Sequence, residues 1–340
     1  MQGHLPGLDG LRAIAVLMVI VGHAAGFPGF PGAARSLLVV NIAHLGVAVF
    51  FVLSGFLITT LLIGERARTG RVSLGAFYAR RTVRIFPAAY AYIAVVALAA
   101  WAGQVRLLPG DLLHALTYTM NYHHDRGWAL GHLWSLAVEE QFYLLWPLVF
   151  VRSGRRALSV ALLVLALAPV VRTLSWILLP ATRDGMDEEF QFVCDSLATG
   201  CAMALLVDRV GLARAGAWLP AWTGVAAPLA TLVAARFMDW PSFHLPLGAT
   251  LVNLGIATTV LWTVTRPSGL AGRVLNSRAA MVLGSMSYSL YLWQQLFLDT
   301  EAWQGMPALV PRLLLVLLAA AASYYLLERP LLALRARLRR

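Results

Sequence analysis

The chain has no lysine: all 27 of its basic side chains are arginine. That absence fits a GC-rich genome as well as any function and carries no mechanism. The scarcity of charge of either sign says more. Only 13% of residues are charged and 59% are hydrophobic, with a mean hydropathy of +0.72, whereas a soluble domain carries roughly 25% charged residues. Such a chain lacks the polar surface to face water on all sides, which excludes a soluble globule and implies a polytopic membrane protein. Cysteine is nearly missing too. Cys194 and Cys201 stand alone on one predicted helix, sharing a face without being able to bridge, so there is no disulfide framework and no metal-ligand spacing. No metal is expected. There is no low-complexity tract and no repeat of the kind secondary transporters carry, so a single membrane domain over 1–340 is the simplest partition. The first apolar stretch lacks a small-residue cleavage site and reads as a retained helix, not a signal peptide. The net charge of +11 has no basic face outside membrane-spanning sequence, so no nucleic-acid partner is expected.

What the chain does have is long apolar runs. Those of about 17–25 residues fall near 10–27, 41–63, 85–103, 132–151, 157–179, 191–208, 217–236, 245–265, 280–299 and 309–328. They predict an all-α bundle of about ten transmembrane helices. With the N-terminus placed in the cytoplasm, the cytoplasmic connections hold Arg66, Arg68, Arg71, Arg80, Arg81 and Arg84, then Arg152, Arg155 and Arg156, then Arg209 and Arg214, then Arg266, Arg273 and Arg278, and a basic tail from Arg329 to Arg340. The opposite side holds scattered single arginines. That asymmetry puts both termini in the cytoplasm, in a multi-pass protein of the cell (inner) membrane. The outer connection 28–40 reads as irregular, Leu107–Tyr118 as an interfacial helix, and the acidic run Asp184, Asp187, Glu188, Glu189 as a solvated loop.

The first run places a guanidinium and an imidazole on one apolar helix. Arg12 and His23 are ~16 Å apart along its axis at 1.5 Å per residue, about half of a ~30 Å hydrocarbon core. With Arg12 at one surface, His23 lies near mid-depth, where an ionisable group is a functional candidate by default. In the second run Gly46 reads as a packing glycine, while Ser54 and Gly55 read either as packing residues of the same kind or as a local break that opens a cavity. Arg80, Arg81 and Arg84 share neighbouring helix faces. They read equally as a fork for phosphate and as a positive anchor at lipid headgroups. Glu139 and Glu140 point about 100° apart on a spanning helix, so one faces the interior and needs a partner, with Arg12 and His23 as candidates. Trp134 and Trp146 read as interfacial belt residues. Arg172 and Asp195 fall in or beside apolar runs as members of a buried ion pair, with a site role an equal reading for Asp195. The polar stretch holding Tyr288, Tyr291 and Gln294 either lines a cavity or stitches helices together. Glu328-Arg329-Pro330 is expected to end the last helix, with Pro as the stop and the glutamate ion-paired to a neighbouring arginine.

In this order, the stretches Leu11-Arg12-Ala13 through His23, Phe50-Phe51-Val52-Leu53-Ser54-Gly55-Phe56, Arg81-Thr82-Val83-Arg84 with Pro87, Trp134 through Tyr143, Asp195 to Gly200, Ser287-Tyr288 to Trp293, and Glu328-Arg329-Pro330 resemble the acyltransferase-3 family of integral membrane proteins. The resemblance covers nearly the whole chain. It implies an acyl-CoA donor, commonly acetyl-CoA, reaching the protein from the cytoplasm, and an acceptor hydroxyl. It implies an essential histidine and basic residue at His23 and Arg12, and donor-binding residues at Arg81 and Arg84. Gln294 departs from the pattern, since relatives often carry histidine there. A stand-alone chain without the fused esterase-type domain of some relatives is also expected.

The expected chemistry is therefore acyl transfer from acyl-CoA, docked on Arg81 and Arg84 with Arg80 and Arg12, to a sugar hydroxyl on a surface polysaccharide, glycolipid or glycosylated small molecule. His23 is the expected general base, supported by Glu139 or Glu140, with Ser54, Trp134, Asp195, Tyr288, Tyr291 and Gln294 around the substrates. A covalent relay through His23, Tyr288 or Tyr291 is the alternative chemistry. A polytopic transporter of a sugar-containing or lipid-linked substrate is the alternative function.

Overall fold

The computed structural model describes residues 5, 7–27, 30–37, 41–302 and 309–337. Arg339 and Arg340 of the expected basic tail and part of the 28–40 connection lie outside the described residues. The chain is 82% helical with no strand among the described residues. Its principal helices are α1 (Leu8–Ala24), α2 (Ile42–Thr69), α3 (Leu74–Trp101), α4 (Leu133–Ser153), α5 (Ala157–Leu178), α6 (Phe190–Val210), α7 (Thr223–Ala235), α8 (Ala249–Thr265), α9 (Arg278–Ser285), α10 (Ser287–Phe297) and α11 (Leu309–Ala322). Among the described residues, six helical stretches are long and apolar enough to cross a membrane, one of them the continuous Trp128–Leu178 run that holds α4 and α5.

Helix ends follow local chemistry. Asn41 caps α2 by accepting from the His44 backbone N–H, and Ser73 caps α3 by accepting from Ala76. Gly70, at φ 74°, ends α2 in the left-handed conformation that glycine tolerates best. The reversal between α2 and α3 is therefore only a few residues long. It sets the end of α2, with Glu65 and Arg68, beside the start of α3, with Arg80, Arg81 and Arg84.

Close backbone approach organises the core. A side chain at Gly55 would strike the Leu197 carbonyl, and one at Gly200 would strike the Val52 carbonyl, so α2 and α6 touch backbone to backbone. At Gly46, α2 meets the Ala15 carbonyl of α1, and Gly22 of α1 meets Ala43. α1 is antiparallel to α2: Gly22 packs at the start of α2, and Ala15, earlier in α1, packs further along it at Gly46.

Three expectations are corrected here. Helix α2 runs unbroken through Ser54 and Gly55; Gly55 packs, and only Ser54 turns to a cavity. Pro330 does not stop the last helix. A π-helical turn over Ser323–Glu328 precedes it, and the chain continues helical through Arg329–Arg337, because the changed hydrogen-bond register accommodates the missing N–H. Glu328 accepts a hydrogen bond from Ser289. The tryptophans are not belt residues either. Trp146 is buried and donates to Thr59 Oγ1 at 2.8 Å. Trp134 is 7% exposed and stacks on His44 with ring centroids 5.5 Å apart.

Candidate active site

A cavity of about 940 Å³ opens at the end of the bundle where α1 and α3 begin and α2 ends. Arg12, Arg68, Arg80, Arg81 and Arg84 line its outer part, with Glu65 and Asp9. Further in come Ser54, Ser135, Glu139, Tyr143, Tyr288 and Tyr291. The structure thus brings together, on five different helices, residues that are more than two hundred positions apart in sequence. The arginines are not equivalent. Arg80 is paired with Glu65 at 2.8 Å. Arg81 lies over the rings of Phe77 and Tyr143, at 5.7 and 5.4 Å from their centroids, which holds a guanidinium by its faces.

Glu139 lines this cavity and accepts a hydrogen bond from Ser54, whose hydroxyl also accepts from Tyr143 at 3.3 Å. Glu140 points elsewhere, and its Oε1 is buried without a hydrogen-bond partner. Neither carboxylate is the group found on His23. That group is Gln294: His23 Nδ1 lies 2.8 Å from Gln294 Oε1. The amide orientation of Gln294 follows from its second bond, Nε2 donating to Gln295 Oε1 at 3.3 Å. Gln294 therefore presents an acceptor to His23, the imidazole proton resides on Nδ1, and Nε2 carries the lone pair. The edge of Trp128 packs on the same ring, with centroids 5.2 Å apart. His23 lines neither this cavity nor the chamber described next. Gln294 follows Tyr291 by one helical turn on α10, so His23 stands one turn beyond the inner lining.

Tyr291 donates to the His132 carbonyl at 2.8 Å and its hydroxyl also meets Ser135, while Tyr288 donates to the Ile85 carbonyl at 2.8 Å. Both tyrosines line the cavity and stitch helices as well. Arg172 and Asp195 pair with each other at 3.0 Å, nearly solvent-free. Arg172 also donates to the Leu245 and Phe192 carbonyls, a structural tie among α5, α6 and the turn before α8. The acidic outer run is engaged: Glu188 with Arg126, Glu189 with His124 and Gln191. It is a built rim and not merely a solvated loop.

A second chamber of about 140 Å³ lies toward the opposite end, lined by His44, Trp134, Asp195 and Asn253 among others. His44 and Asn253 were not singled out from sequence. Asn253 carried a usable signal, an amide inside an apolar run; His44 carried none, because a histidine at a predicted helix end is ordinary.

The family model for the acyltransferase-3 acyltransferase domain matches residues 5–328, and the chain belongs to that family. It is 30% identical to a putative peptidoglycan O-acetyltransferase, YrhL, of Bacillus subtilis, over 96% of this chain and 55% of the relative. It is 31% identical to the O-acetyltransferase OatA of Staphylococcus aureus, over 96% and 57%. It is 28% identical to the peptidoglycan O-acetyltransferase OatA of Listeria monocytogenes, over 85% and 49%. The chain spans about half the length of the curated relatives it matches. No solved structure matches it significantly.

Proposed function

We propose that this chain is a membrane O-acyltransferase that takes an acyl group, most simply acetyl, from cytoplasmic acyl-CoA and delivers it to a sugar hydroxyl. The carrying observation is the arginine-lined 940 Å³ cavity, which combines a cationic outer end with a hydroxyl-bearing interior. Coenzyme A has the matching form, a polyphosphate head on a long uncharged arm. The names of the relatives supply the O-acetyl chemistry and a sugar-polymer acceptor.

Arg81 and Arg84 hold the phosphates, with Arg12 and Arg68 adding charge; Arg80 is already partly engaged by Glu65. Ser54, Ser135 and the tyrosine hydroxyls flank the uncharged arm. The bound donor supplies an activated thioester carbon. His23 Nε2 accepts the proton of the acceptor hydroxyl as its oxygen bonds to that carbon, and the carbon–sulfur bond breaks. The departing thiolate takes that proton back from the His23 imidazolium and leaves as the free thiol, which restores the neutral base. Gln294 keeps the other imidazole proton in place throughout. Glu139 balances the guanidinium charge when no anion is bound. The N-terminal end of α1 then faces the cytoplasm, and the transferred group leaves toward the opposite side.

The purified protein in detergent, given labelled acetyl-CoA and a sugar acceptor, is expected to release free CoA thiol and label the sugar. Uptake of the sugar into vesicles without thiol release would favour transport instead.

A further inference from the structure

The connection between α3 and α4 sends one side chain onto His23. Trp128 begins a short helix there, Trp128–Gly131. Its indole meets the His23 imidazole at 67°, with ring centroids 5.2 Å apart, an edge-on arrangement in which aromatic rings attract. Gln294 holds the same imidazole through Nδ1 alone. One hydrogen bond fixes a tautomer and a distance, but it leaves the ring free to swing about the axis of that bond. A second contact, on the ring itself, is needed to fix its plane, and Trp128 supplies one.

Trp128 is itself held from both its side chain and its backbone. The indole N–H donates to the Gln295 carbonyl at 3.0 Å, and the Gln295 side-chain amide donates back to the Trp128 carbonyl at 2.5 Å. Its two neighbours are tied as well. The Gly127 backbone N–H donates to the Asp111 carboxylate at 3.1 Å, and Asp111 is buried. The Ala129 carbonyl accepts from the hydroxyl of Tyr92, on α3, at 2.6 Å. Three consecutive residues are therefore anchored to three separate elements: the short helix Asp111–Leu116, α10 and α3. A tryptophan that serves only as a membrane-interface anchor needs an apolar ring and a wet N–H. It needs neither a reciprocal pair of hydrogen bonds nor a tethered backbone.

The contacts close into a circuit. His23 donates to Gln294, Gln294 donates to Gln295 Oε1, Gln295 donates to the Trp128 carbonyl, and the indole returns to the His23 ring. The glutamines are the buried side of this circuit, and Trp128, 42% exposed, is the side turned to the surface. Neither Trp128 nor Gln295 lines the arginine cavity. A change at either one therefore acts on the imidazole without touching the place where the donor is proposed to dock.

The geometry points to Trp128 as a positioning residue for His23: it fixes the plane of the imidazole whose tautomer Gln294 sets. Displacing a reacting group by about 1 Å can cost roughly 10²-fold in rate, so the contact governs turnover and leaves donor binding alone. The role rests on the reading of His23 as general base.

Four full-length proteins in detergent test it: wild type, Trp128→Ala, Trp128→Phe and His23→Ala, with folding checked by size-exclusion profile and melting temperature. Thiol release from acetyl-CoA is measured with methyl N-acetylglucosaminide as the acceptor probe. In parallel, carbethoxylation of His23 by diethyl pyrocarbonate is followed by peptide mass spectrometry, which needs no acceptor. Trp128→Ala is expected to lower kcat by about 10- to 100-fold, with the KM for acetyl-CoA within about twofold of wild type. Its His23 is expected to react at least about threefold faster, because the ring contact that restrains the imidazole is gone. Trp128→Phe keeps an aromatic edge and gives up only the N–H bond, and is expected to bring both readouts back to within about threefold of wild type. Should Trp128→Ala fail to fold, Gln295→Met, which releases the Trp128 carbonyl, is expected to show the same split between kcat and KM with a smaller loss. Wild-type labelling of His23 in folded Trp128→Ala, or an undiminished kcat in that variant while His23→Ala is impaired, would overturn the positioning role alone. Unimpaired transfer by His23→Ala would overturn the base reading, and the positioning role with it.

Discussion

His23 and Gln294 form one hydrogen-bonded unit: the imidazole donates from Nδ1 to the amide oxygen across 2.8 Å, joining the end of α1 to α10. The pairing fixes the tautomer through a neutral acceptor. His23→Ala is expected to lower turnover by about 10²–10⁴-fold, the usual contribution of a general base, with CoA binding retained. Gln294→Leu is expected to lose about tenfold, as for one net hydrogen bond. Turnover assays with separate acetyl-CoA titrations check both, and unimpaired transfer by His23→Ala would remove it from the chemistry.

The arginines are expected to act through charge. Arg81→Ala and Arg84→Ala should each weaken CoA binding by about tenfold, and the deficit should shrink as salt rises, because added ions screen the lost interaction. Titration calorimetry at two ionic strengths reads this directly. Arg80→Ala should cost less, since Glu65 already neutralises that guanidinium.

Glu139 is expected to oppose the donor, not to drive the base. Glu139→Gln keeps an acceptor for Ser54 but removes a negative charge from a cavity that receives a polyanion. CoA should bind more tightly, by roughly fivefold if about 1 kcal/mol of repulsion is removed. Weaker CoA binding by this variant would show that the carboxylate organises the arginines instead.

The Arg172–Asp195 pair should be a stability element. Arg172 is 1% exposed, so Arg172→Leu strands a buried carboxylate and should destabilise by about 3–5 kcal/mol. Adding Asp195→Asn should recover part of that loss, which thermal melting in detergent can follow. Gly55→Val should destabilise by about 1–3 kcal/mol through overpacking, because its side chain would meet the Leu197 carbonyl of α6.

Helix positions and the arginine end were readable before any coordinates, for a physical reason. Apolar run length and the spacing of Arg80, Arg81 and Arg84 are local properties, and helices preserve them. Partners across the bundle were not readable. Glu139 and Gln294 are both polar groups on spanning helices, and nothing in their local sequence says which faces the arginine-lined cavity and which reaches His23; that follows from how the helices pack, with Gly22 and Gly46 bringing α1 against α2. Ser54-Gly55 looked like a break because small polar residues weaken an isolated helix. Packing against α6 makes the same glycine a contact surface. The second chamber was the least legible, since it joins the beginnings of α2, α4, α6 and α8, and only tertiary structure brings them together.

Val47 and Phe51 border both hollows, and this gives them a duty unrelated to substrates. A membrane protein hollowed from both ends must still hold the ion gradients of its cell, and here the insulation thins to a few hydrocarbon side chains. Such a constriction blocks ions by staying dry. Phe51 is in that sense an electrical component of the bilayer. Any widening of the passage to admit a larger acyl chain would be limited by leakage of protons before it was limited by fit.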